Sequence, residues 1–86
     1  MVSLPRSEAY ALVDAERERQ AYRWNGRHEW GTGDCSSEGV AAGTKLAVLT
    51  EEIGEVARAY LERDDEALRA ELVQVAAVAV AWLEAF

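Results

Sequence analysis

The sequence predicts an all-α domain: a helical bundle of about three helices per chain, with a long loop after the first, completed by oligomerisation. Three observations carry this. Apolar residues recur at spacings of three and four in two segments. Five glycines punctuate the stretch between 26 and 43. The last fifteen residues are apolar in every helical direction, with Gln74 and Glu84 as the clear polar exceptions.

Each element follows in order. Pro5 suits the first turn of a helix and Ser3 is placed to cap it. Nothing breaks that helix before about Trp24, and Tyr10, Val13, Arg17, Gln20 and Trp24 share one mixed face. Asn25-Gly26 then offers a left-handed helix stop. The glycine-rich stretch 26–43 reads as a long loop, a length more common in functional segments than in plain connections. His28 and Trp30 near its tip are placed to fold over a pocket.

A second helix is expected from about Thr44 to Arg63, with Leu46, Leu49, Ile53, Val56 and Tyr60 as its apolar stripe. At about 100° per residue, Glu52 falls at the edge of that stripe and Glu55 further round, beside Val48 and Ala59. Glu51 points almost oppositely, toward solvent. Asp64-Asp65 supplies a turn and N-cap, and Glu66 complements the dipole of the third helix. That helix, apolar all round, needs cover on all sides. Three helices cannot supply it, so a second subunit is expected, as a homodimer or homotetramer.

The bulk properties set limits. A chain of 86 residues holds one domain, here taken as residues 1–86. Its hydrophobic fraction of 50% is too high for a disordered tail. A net charge of −7 disfavours bulk attraction to nucleic acid or to anionic membranes. The apolar run from Val75 to Leu83 is far shorter than the roughly 20 residues of a membrane span. Met1 to Arg6 lacks the apolar core of a signal peptide, and the single Cys35 permits no internal disulfide; both fit a cytoplasmic protein.

The chemistry concentrates in Glu51, Glu52, Glu55, Glu71 and Gln74. Glu52 and Glu55 are three apart, as are Glu71 and Gln74, so each pair shares a helix face with Cβ atoms roughly 5–6 Å apart. Two such helices packed antiparallel gather three carboxylates and one amide. Such a cluster repels itself unless neutralised, and hard oxygen donors suit Mg²⁺ or Mn²⁺. The plainer reading is a solvated acidic face. A second is a buried ion-pair network using Lys45 or the arginines at 17, 23, 58 and 69. One His and one Cys are too few for zinc. No His follows Glu52 or Glu71 at the spacing a carboxylate-bridged di-iron bundle needs. A phosphate-binding Walker loop and a serine nucleophile elbow are both missing from the sequence.

Glu51-Glu52-Ile53-Gly54-Glu55-Val56 resembles the Glu-Glu-x-x-Glu signature of the MazG-like, all-α nucleoside triphosphate pyrophosphatases. Glu71-Leu72-Val73-Gln74 stands where that family carries Glu-x-x-Asp, with Gln74 in place of the aspartate. The resemblance spans most of the chain and implies a helical bundle built by dimers. It implies Mg²⁺-dependent (or Mn²⁺-dependent) cleavage of an NTP or dNTP to the monophosphate and pyrophosphate. Glu52, Glu55 and Glu71 would then be metal ligands, with Gln74 as a neutral fourth donor whose missing charge weakens metal binding. Glu51 or Glu55 would orient or deprotonate the attacking water. Gln20, Trp24 and Trp30 would line the nucleoside side, and Lys45 or an arginine would steady the leaving pyrophosphate. The competing expectation is a weakly active or inactive helical dimer that binds nucleotide or a protein partner. An acidic mimic of DNA ranks below both, because the acids cluster between apolar stripes.

Overall fold

The computed structural model describes residues 3–86. Met1 and Val2, where the stretch read as lacking a leader begins, lie outside the described residues. The described residues form three helices: α1 (Arg6–Arg23), α2 (Ala42–Leu61) and α3 (Asp65–Glu84). A two-stranded hairpin, β1 (Arg27–His28) with β2 (Gly31–Thr32), interrupts the connection between α1 and α2. The expected all-α class and element order hold, with boundaries shifted by one or two residues.

Pro5 itself stands at the N-cap of α1, extended, and no side chain caps the helix, so Ser3 does not play that part. The helix stops at Trp24, and Gly26 follows with φ +84°, as the Asn-Gly pair required. Asp64 caps α3 as expected: its carboxylate accepts the Ala67 N–H at 3.0 Å. Arg63, at φ 54°, carries the left-handed step that ends α2.

The connection contains regular structure that the glycine count concealed. His28 faces Gly31 across the hairpin, leaving Glu29-Trp30 as a two-residue turn. His28 locks this tip: its Nε2–H donates to the Gly33 carbonyl at 2.6 Å, and Nδ1 accepts the Trp30 N–H at 3.2 Å. Gly31 is required twice over. Its φ is +136°, and a Cβ there would collide with the Gly39 carbonyl.

α1 and α2 each pack on α3 and not on each other. The gap between them is the feature that positions the site. The α2–α3 contact is built from small residues, with Ala59, Ala77, Val78 and Ala81 buried. Small side chains let the two backbones approach closely, which brings the acids of α2 against α3. The remainder of α2 departs from expectation. Leu46, Ile53 and Tyr60 of the apolar stripe are 54%, 52% and 69% exposed, and the face turned inward runs through Lys45 and Ala59. On α3, Leu72 and Leu83 are likewise exposed, so α3 is not covered all round within one chain. No helix among the described residues is long and apolar enough to cross a membrane.

Candidate metal centre

The rotation of α2 that exposes Ile53 turns Glu52 toward α3, where Glu71 lies. One oxygen from each of Glu52, Glu55 and Glu71 lies within 4.8 Å of the others. Among the described residues this is the one group of three His, Cys, Asp or Glu side chains close enough to share an ion. Glu55 is exposed at the rim, whereas Glu52 and Glu71 are partly buried. Glu52 Oε2 and Glu71 Oε2 are each sealed from solvent and accept no hydrogen bond.

The competing ion-pair network does not form here. The ion pairs among the described residues use Arg17 with Asp34 and Glu84, and Arg19 with Glu16. None involves Glu52, Glu55 or Glu71. Three carboxylates therefore meet with no ion pair among the described residues, and their proton affinities respond. Burial, reinforced by the charges of Glu55 and Glu71, pushes the Glu52 carboxyl up from 4.5 to about 7. Glu71 is raised as well, first by burial and then by Glu55. A divalent ion would relieve both effects, supplying the charge and the missing partners for two orphaned oxygens. The donor set fits the group: all ligands are hard oxygens, with one side open.

That open side is a cavity of about 610 Å³ between α1 and α2, floored by α3 and closed at one end by the hairpin segment. Glu51, Glu52, Glu55 and Gln74 line its acidic end. Gln20, Trp24 and Trp30 line it too. Trp24 and His28 meet edge to face, with ring centroids 5.2 Å apart, and Arg23 lies over the Trp24 ring at 5.5 Å. Lys45 is placed differently from the other candidates: it is buried, 4% exposed, and does not line the cavity.

The wall opposite α2 holds Arg19, which the sequence reading did not single out, and Arg23, weighed there only as an ion-pair partner for the acids. Their signal was available. They stand one turn apart, each beside a recognised neighbour, Gln20 and Trp24. The loop wall is tied down by Asp34, which accepts Arg17 Nη1–H at 2.8 Å and the Ser36 N–H at 2.9 Å. Arg17 also donates from Nε to Glu84 at 2.7 Å, linking α1, the loop and the end of α3. Burial opposes ionisation of Asp34, but the two Ser36 hydrogen bonds and then the Arg17 guanidinium outweigh it and hold the carboxyl below its usual range.

Fold and site together define a three-helix, all-α domain with a carboxylate cluster opening into a cavity walled by indoles and arginines. No protein-family model, curated protein or solved structure matches the chain.

Proposed function

We propose that this chain is a metal-dependent nucleoside triphosphate pyrophosphohydrolase of the MazG-like kind, cleaving an NTP or dNTP to the monophosphate and pyrophosphate. One observation carries the reading: three carboxylates without an ion-pair partner, two of them with orphaned buried oxygens, at the end of a nucleotide-sized cavity. The Glu-Glu-x-x-Glu resemblance supports it. Glu52, Glu55 and Glu71 would hold Mg²⁺ or Mn²⁺, and Gln74 would offer a neutral oxygen from the cavity floor. When bound, the ion supplies charge neutralisation to the triphosphate and acidity to a water.

The chain's own residues do the rest. Trp24 and Trp30 offer ring faces on which a base stacks, and Gln20 offers an amide beside them. Glu51 and Glu55 both face the cavity and are the candidates to orient or deprotonate the attacking water. Enclosure by α1, α2 and the hairpin limits solvent around the phosphates.

Partner chemistry follows from the surface. The chain exposes 6396 Å², whereas a compact monomer of its mass exposes about 5,000 Å². The exposed Leu46, Ile53 and Tyr60 of α2 and Leu72 and Leu83 of α3 are apolar, and a second copy is the occupant we assign to them. A homodimer or homotetramer in the cytoplasm completes the reading.

The assay is pyrophosphate release from a panel of NTPs and dNTPs with Mg²⁺ or Mn²⁺. Release from at least one nucleotide supports the proposal. No release from any, by protein with an intact helical spectrum, rejects it. Gln74 favours one second reading, a nucleotide-binding dimer of little or no activity. Under that reading Gln74→Asp creates turnover that the parent lacks.

A further inference from the structure

Resting on that reading of the carboxylates as a metal centre, we infer that Arg19 and Arg23 form a polyphosphate subsite on the opposite wall of the same cavity. The ligand class is a polyphosphate carried as its divalent-metal complex, spanning from the acids of α2 to the arginines of α1.

Charge makes the case first. The acidic end carries Glu51, Glu52 and Glu55 at the cavity and Glu71 behind them. One divalent ion leaves that end net negative, so it repels a polyphosphate unless cations stand elsewhere in the site. Lys45 does not line the cavity. Arg17 is committed to Asp34 and Glu84. Among the described residues, Arg19 and Arg23 are the basic side chains, other than His28, that line it.

Geometry makes the case second. Arg19 Nε and Nη2 donate to the two oxygens of Glu16, at 2.8 and 2.6 Å. This pair fixes the guanidinium plane and holds the group firmly charged. It uses one edge of the fork and leaves the Nη1 edge uncommitted. Guanidinium has five donors in a rigid plane, so the free edge matches two phosphate oxygens. Arg23 follows one turn later, and its guanidinium lies over the Trp24 ring, a contact that positions the group without using its hydrogen bonds. Both side chains are thus oriented while their donors stay available. The helix arrangement gives the subsite its consequence. The backbones of α1 and α2 do not pack on each other, so a ligand gripped by Arg19 and Arg23 on one side and by the metal centre on the other braces the two helices together.

Calorimetric titration of the full chain tests this without turnover. Mn²⁺ is titrated first, and then inorganic tripolyphosphate in excess Mn²⁺. Arg19→Ala and Arg23→Ala should each weaken tripolyphosphate binding by about tenfold, the two together by about a hundredfold. Mn²⁺ binding should stay within about twofold of the parent, and Arg27→Ala, on the exposed hairpin, should change neither. Arg19→Lys and Arg23→Lys, which keep the charge, should recover part of the affinity and thereby exclude a folding defect. A double alanine variant that binds Mn²⁺ and tripolyphosphate as the parent does would overturn the subsite and leave the metal centre standing. A parent that takes up no Mn²⁺ would instead overturn the metal centre on which the subsite rests.

Discussion

Glu52 is the residue on which the proposed metal centre turns, and its environment sets a pH signature. Its carboxyl titrates near 7 in the folded chain against 4.5 ordinarily. Between those values the folded state keeps a proton that the unfolded chain has released. The stabilising contribution is therefore complete below about 4.5 and is lost as pH rises through about 7. Glu71 shifts in the same direction and adds to the same slope. Urea midpoints of the metal-free protein should fall between pH 5 and pH 8, and Mn²⁺ at pH 8 should restore them. A midpoint that climbs over this interval would contradict the account. Glu52→Gln removes the ionisable group from the cluster; it should flatten this slope and weaken Mn²⁺ binding at least about tenfold. The convergence of Glu52, Glu55 and Glu71 was legible from two i, i+3 pairs on neighbouring helices. The absence of a protein partner was not, because spacing does not say where Arg17 reaches. Only packing shows that Arg17 serves the loop and the end of α3, and that Lys45 turns inward.

Helix ends were the most readable elements and the hairpin the least. Asp64 announced its cap by residue type, since a short acceptor before an apolar run answers the unpaired N–H groups of a first turn. Asp64→Ala should cost about 1 kcal/mol of stability, measured by denaturant unfolding. Arg63 sits at a left-handed position that favours glycine, so Arg63→Gly should leave stability unchanged or raise it by up to about 1 kcal/mol. The hairpin escaped notice because its turn, Glu29-Trp30, lacks the Asn-Gly or Asp-Gly signal. Its order comes from His28 bonding at both ring nitrogens and from the close approach of Gly31 to Gly39, contacts that a glycine count does not encode. The face of α2 was misplaced for a related reason. Leu46, Ile53 and Tyr60 follow a seven-residue repeat, and periodicity marks a face without naming what covers it. The structure gives the inward side to Lys45, Glu52 and Ala59, keeps Leu49 and Val56 half-buried beside them, and sends Leu46, Ile53 and Tyr60 outward.

The molecule as a whole is thin. Its radius of gyration is 13.5 Å, against about 12 Å for a compact domain of this length. Among the described residues its buried apolar core is Val40, Val78 and three alanines. Under the proposed assembly a second copy covers the α2 stripe, so Ile53→Asp should convert it to monomer in sedimentation or light scattering and lower its Tm. A parent chain that is monomeric at micromolar concentration would defeat that arrangement. The central claim is more local: three glutamates from two helices hold a divalent ion. Mn²⁺ titration of the metal-free protein at pH 7.5, beside a variant carrying Glu52→Gln and Glu71→Gln, tests it most directly. The account predicts saturable uptake by the parent with proton release, and none by the variant. Equal uptake by both, or none by either, would contradict it.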